Sequence, residues 1–413
     1  MTTPTSRTRS VVALLLLGSG PALIGDTAHA QRGSARARRG DTVVVANTGN
    51  GLWGPAHDAI EVKRISGDTK ETTFGVVYTL AATPDGGVLV FDTKSLDGLI
   101  IRQFDADGHF VRNIGRRGEG PGEYVRPNLR LAVHTNGTII IRDSEKSVSR
   151  FAPDGKLLSS FSLFHTNGST NEVFAATDGS IYLRAPFIPG PEPTGGPGQQ
   201  RPILHYDVSG RIVDSISTNA RWVPTTTDPA VASQWWSTLP DGRLLYTRTD
   251  RVGFLIIDRT GRVPPFIAEA PSAPVPYLKE ERDELQGLRD FTRDNCMRPG
   301  MPAASQSTVP ETKLPARGGS ADLDGRIWIA KTAAAKKVPP KIAGMCGGPG
   351  GSKKYETTYE EPPAYVAFQP DGTLLGEVRF PLRARVTFVG NTAWAMVPDA
   401  DDVPVLIKYK LHN

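Results

Sequence analysis

Short apolar runs joined by tight polar turns recur along the chain. Five inner pairs stand out: LAATPDGGVLVFD, LAVHTNGTIIIRD, VFAATDGSIYLRA, STLPDGRLLYTRT and ADLDGRIWIAKT. Each is followed by an outer pair: IIRQFDADGHFVRNIG, VSRFAPDGKLLSSFSL, ILHYDVSGRIVDSIS, FLIIDRTGRVPPFIA and YVAFQPDGTLLGEVRF. Asp-Gly and Asn-Gly between alternating apolar positions mark hairpins, because the turn residues must tolerate positive φ. Two hairpins make a four-stranded blade, and a periodic array of blades predicts a propeller.

The units run Gly75–Gly115, Asn128–Leu163, Glu172–Ser217, Gln234–Ala268 and Ala321–Pro381. A sixth has only the pair RVTFVGNTAWAMV and a third strand, PVLIKYKL. Its missing outer strand matches the orphan run AIEVKRISG near the N-terminus, and pairing the two ends would leave no open sheet edge in the ring. The expected fold is therefore all-β, a six-bladed β-propeller closed by its N-terminal strand, with residues 41–413 as one domain.

In such blades the Asp-Gly turns share one face, and the links between strands two and three and between blades share the other. Three insertions fall on that linker face, at 186–202, 264–319 and 331–363. Within the second, PYLKEERDELQGLRDFTRDN spaces Leu278, Leu285 and Leu288 as a helix does, which predicts one helix capping the channel mouth. Loops on a rigid scaffold are where binding concentrates, so the linker face is the candidate functional face.

The stretch GRRGEGPGEYVRPNLRLAVHTNGTIIIRD resembles the linker and inner hairpin of NHL-type repeats. The segments VVVANTGNGLW and IEVKRISG resemble exported bacterial six-bladed propellers related to that family. The resemblance spans nearly the whole chain beyond residue 40 and implies the propeller fold. It leaves function open, since one fold hosts many functions.

Arg7 and Arg9, the run VVALLLL and the small-residue end at Ala30 read as a secretory signal peptide, residues 1–30. The expected destination is the periplasm or the exterior, and no other run is apolar enough to span a membrane. The net charge is +5, and the surplus left after the signal matches Arg32, Arg36, Arg38 and Arg39 in a basic linker over residues 31–40. The remaining body is near neutral, so nucleic-acid binding is not indicated.

Cys296 and Cys346 are the only cysteines. They lie in insertions on the same face of neighbouring blades, and export favours a disulfide between them. The first residues of the inner strands ring the channel mouth: Asn128, Glu172, Gln234, Arg317, Arg383 and Arg385. Metal-dependent lactonases with six blades hold calcium or zinc with acidic and amide side chains at such positions. Here one carboxylate stands among three arginines, a set that suits an anion better than calcium, whose ligands are oxygens. The alternatives are solvated rim residues, or pairing of the arginines with Glu280, Glu281 and Glu284 of the capping helix.

A related lyase binds zinc with several channel histidines. His109 and His134 lie beside Asp-Gly turns, His205 on an outer strand, and His57 near the rim, while only His165 approaches the linker face. A three-histidine site is not expected. Trp235 and Trp236 start the inner strand of blade four and point to opposite sides of it, as core or as a stacking platform. GRRGEGPGEY precedes a strand rather than a helix, so it reads as a blade linker and not as a phosphate loop. No GxSxG, HExxH or Walker-type pattern occurs beyond the signal.

These residues point to an exported, non-enzymatic binding module without a cofactor, taking a protein or a small anionic ligand at the linker face. The alternative is a metal-dependent hydrolase or lyase with calcium at the channel mouth.

Overall fold

A computed structural model describes residues 33–125, 127, 129–143, 147–163, 173–184, 202–216, 234–296, 308–348 and 351–412. The expected signal peptide lies outside them, as does the insertion at 186–202 apart from Pro202.

Six blades close a ring. Blade one runs from Val77–Ala82 to Phe110–Asn113, blade two from Arg130–Val133 to Leu157–Ser162, and blade three from Val173–Ala175 to Ile212–Ile216. Blade four comprises Gln234–Thr238, Leu244–Arg248, Gly253–Ile257 and Phe266–Glu269; blade five comprises Ala316–Ala321, Ile327–Lys331, Ala364–Phe368 and Leu374–Arg379. Blade six takes Arg385–Val389, Thr392–Pro398 and Pro404–Lys410 from the C-terminal end of the chain.

Its fourth strand is N-terminal. After β1 (Gly33–Arg39), β2 (Thr42–Thr48) and β3 (His57–Asp58), strand β4 (Ile60–Ile65) pairs antiparallel with Pro404–Lys410. The ring closes as the apolar pattern predicted. Ile65 at the end of β4 is buried with Trp394, Phe74 and Phe104 between blades six and one.

The core is divided among the blade contacts. Each pair of neighbouring blades encloses one apolar cluster. The second strand of blade one shows why. Val88 and Val90 face blade six while Leu89 and Phe91 face blade two, because successive strand residues point to opposite sides of a sheet. Strands buried on both faces read as continuous apolar runs, as VLVF and III do.

Turn geometry sets the blade spacing. Gly372, in the turn of blade five, has φ +85°, and a Cβ there would lie 2.4 Å from the Phe266 ring of blade four. The turn needs glycine both for its backbone and for this approach.

The basic run expected as a linker contains a strand. β1 and β2 form a hairpin whose second strand pairs parallel with Phe266–Glu269, so the sheet of blade four has six strands. β3 likewise adds to the outer edge of blade five. The connection between blades four and five is shorter than the expected 264–319, since Phe266–Glu269 and Ala316–Ala321 belong to blades. ARGGSA carries little apolar alternation, which hid the start of blade five. The third insertion is a long hairpin, Lys336–Gly348 against Gly351–Glu360.

Candidate functional site

The linker face of blade five carries a two-part cap. Its first part is α1 (Lys279–Cys296), close to the expected helix, with Glu280 and Glu281 in the first turn where the helix dipole favours them. Glu281 also accepts the Leu278 amide at 3.2 Å, satisfying a free N-terminal donor. The second part is the hairpin of residues 336–360. Two glycines let the parts meet closely: a Cβ on Gly287 would lie 2.1 Å from the Tyr355 hydroxyl, and one on Gly344 would lie 2.8 Å from Leu288.

Three kinds of bond lock helix to hairpin and blade. Cys296 and Cys346 form the expected disulfide. Glu284 accepts the Thr358 amide at 2.7 Å and its hydroxyl at 2.5 Å. Lys313, almost wholly buried, donates to Glu281 at 2.5 Å and to Glu361 at 3.0 Å. Its ammonium also sits 5.0 Å from the centre of the Tyr277 ring. Two carboxylates and an aromatic face around one buried cation meet the requirement that a buried charge be paired.

Between helix, hairpin and blade five lies a cleft of ≈ 580 Å³. Leu285, Leu288 and Ile342 form its apolar wall, and Arg317, Lys341 and Arg383 enter from the other sides. Each cation there has a carboxylate partner. Arg317 pairs with Glu361 at 2.5 Å, and Lys341 pairs with Glu360. Arg383 pairs with Asp402 at 2.6 Å and approaches Glu360 at 3.5 Å. Burial and the neighbouring Arg383 lower the Lys341 pKa. Arg383 is held at φ +63°, a left-handed conformation uncommon outside glycine.

The three arginines therefore do not converge on one anion. Arg317 and Arg383 share the cleft, whereas Arg385 donates to the carbonyls of Val77 at 2.6 Å and Tyr78 at 3.0 Å, stitching blade six to blade one. Their partners are also not the expected helix acids. Glu281 takes Lys313 and Glu284 takes Thr358, while Glu360, Glu361 and Asp402 meet the arginines. Asn128 and Glu172 lie outside the described residues, and Gln234 is described only through its backbone pairing with Arg248.

The channel itself holds a cavity of ≈ 220 Å³ bordered by all six blades. Its wall is mixed, with Leu80, Leu131, Phe174 and Phe388 beside Thr135, Thr177, Thr238 and Thr387. Asp322 lies beside it, and burial pushes its carboxyl up to about 6, against hydrogen bonds from Trp328 Nε1 at 2.9 Å and the Arg326 amide. Among the described residues no group of three His, Cys, Asp or Glu side chains is placed to hold a metal ion. The histidines are dispersed. His109 pairs with Asp105 on an exposed turn, His134 is buried between blades two and three, and His205 stacks on Tyr182. His57 donates from Nε2 to the Leu411 carbonyl at 2.7 Å, near the C-terminal end of blade six. His165 is outside the described residues. Trp236 is core, packed edge-on to Phe174, while Trp235 is exposed beside Gly318.

Residues 40–163 match a family described as a 6-bladed beta-propeller. No curated protein matches the sequence. Among solved structures the chain is similar to a candidate exported protein from Bacteroides fragilis, at 12% identity and TM-score 0.42, covering 90% of this chain and 100% of that one. It is also similar to a streptogramin B lyase at 12% identity and TM-score 0.39, covering 85% and 98%. The calcium-binding protein regucalcin from Agrobacterium tumefaciens follows at 13% identity and TM-score 0.38, covering 86% and 96%. With six sheets closed into one ring and residues 40–163 matching that family, the chain is a six-bladed β-propeller.

Proposed function

We propose that this propeller is an exported, non-catalytic binding module whose capped cleft on blade five receives a segment of a partner protein. One observation carries the reading: an apolar wall faces three cations, Arg317, Lys341 and Arg383, each already matched to a carboxylate. Neutralised cations favour a partner that brings both signs and an apolar side chain, as a peptide does, over a free small anion. The walls are fixed by a disulfide and a buried ion triad, so binding would cost little ordering entropy. Export is supported by the N-terminal charged and apolar pattern and by the disulfide. Among the described residues no helix is long and apolar enough to cross a membrane.

Panning a random peptide display library against the protein and against its Arg317→Ala/Arg383→Ala variant tests the reading. Sequences enriched on the parent and lost on the variant support it. Enrichment that survives the double substitution, or none at all, overturns it. Protection against heat by succinate or inorganic phosphate alone would instead favour a small-anion ligand. Stoichiometric calcium or zinc accompanied by lactone hydrolysis would make the protein an enzyme.

A further inference from the structure

Among the described residues, the six-stranded sheet of blade four ends on β1, whose residues Ser34–Arg39 are all exposed and pair only with β2. We propose that this free edge takes up an extended, acidic peptide segment of a partner protein as an additional strand. The inference is independent of the cleft on blade five.

Three features of the edge support an acidic strand as its occupant. First, the edge is rigid. The side chain of Asn47 in β2 donates to the carbonyls of Glu269 at 3.1 Å and Gly372 at 2.9 Å and accepts the Leu374 amide at 3.0 Å, fixing the hairpin to both neighbouring blades. An unpaired strand held in place presents a ready row of backbone donors and acceptors.

Second, the edge is basic. Arg36, Arg38 and Arg39 have no carboxylate partner among the described residues, and the Arg36 guanidinium lies 5.9 Å from the centre of the Phe266 ring. Like charges directly opposite destabilise strand pairs, so a second copy of this edge is repelled and an acidic strand is attracted.

Third, a cleft opens on each face of the sheet beside the edge. Toward blade five, Val43, Pro264, Phe266 and Pro370 floor a cleft of ≈ 410 Å³ rimmed by Arg36 and Arg38. Toward blade three, Ile216, Tyr246 and Ile257 line a cleft of ≈ 900 Å³ that Arg38 and Asp41 reach from the edge, and Arg259 there is paired with Asp214 at 2.7 Å. Successive side chains of an added strand point to opposite faces, so each cleft would receive alternate residues. Backbone pairing then supplies affinity and the clefts supply selectivity, the usual division in strand addition.

The test uses the full exported chain and a fluorescent seven-residue peptide alternating glutamate and valine, the length of β1. Anisotropy should show saturable binding that weakens about tenfold or more in Arg36→Glu/Arg38→Glu and with added salt. The same peptide with alternate amides N-methylated should not bind, and a lysine–valine peptide should not bind. The substituted side chains are exposed, so the melting temperature of the variant should equal that of the parent, and Arg317→Ala/Arg383→Ala should bind as the parent does. Equal binding of the N-methylated peptide, undiminished binding to the charge-reversed edge, or no binding of the glutamate–valine peptide would each overturn the proposal. In the last case the arginines serve only to keep the edge from aggregating.

Discussion

Asn47 Oδ1 accepts the backbone amide of Leu374 at 3.0 Å, although the two residues are 327 positions apart. Its Nδ2 reaches the Gly372 carbonyl at 2.9 Å and the Glu269 carbonyl at 3.1 Å. One amide side chain thus joins the N-terminal hairpin to blades four and five.

Replacing Asn47 with Ala leaves the Leu374 amide without its partner in a buried place. A cost of about 2–3 kcal/mol is expected, the usual range for a stranded buried donor plus lost bonds. Urea unfolding would measure it, and an unchanged midpoint would show that the hairpin contributes nothing to the fold.

The disulfide closes a loop across a sequence separation of 50. Chain-entropy reasoning for such a loop gives roughly 4 kcal/mol of stabilisation. Cys296→Ser/Cys346→Ser should lower the melting temperature and expose α1 to protease first. Thiol titration of the unreduced, unfolded parent should find none; two free thiols would refute the pairing.

Glu281 and Lys313 form a buried ion pair at 2.5 Å. Removing Glu281 leaves Lys313 buried with Glu361 as its remaining carboxylate, so Glu281→Leu is expected to cost less than the ~3–5 kcal/mol of a fully stranded charge, and Glu281→Leu with Lys313→Met less still. Glu361 complicates the second case, because it also holds Lys313 and keeps Arg317 as a partner. A double-mutant cycle by denaturant unfolding separates these effects. Additive losses would mean that the pair does not act as a unit.

Two buried groups titrate with opposite consequences. Burial, aided by nearby Arg150, pushes His134 down to about 4, so its contribution is present above its ordinary value near 6.5 and is lost as pH falls through 4. Asp322 is pushed up to about 6, so its penalty at neutral pH is relieved as pH falls from 6 toward 3.8. Each amounts to roughly 3 kcal/mol at ~1.4 kcal/mol per pKa unit, so the two largely offset one another in the parent. His134→Leu should therefore gain stability relative to neutral pH as the solution is acidified to pH 4, and Asp322→Asn should lose it. Parallel pH profiles for parent and both variants would contradict the assignment.

The blades, the closing strand, the helix and the cysteine pair were all legible in the chain, for a shared reason. Asp-Gly turns and two- or 3.6-residue apolar periods are local signals, and the closing strand was needed to complete a counted repeat. Even the cysteine pairing followed from which face each insertion occupies. The N-terminal hairpin was not legible. GSARARR has no apolar alternation, and the blade that β2 joins lies more than two hundred residues away, so only the folded ring provides the edge that makes it a strand. Nor did the chain reveal which carboxylate meets which cation. Glu281 and Glu361 meet at Lys313, and Arg317 separates from Arg385, because blade packing places side chains from different insertions within a few ångströms. Electrostatic pairing depends on that distance, and the tertiary structure alone decides it.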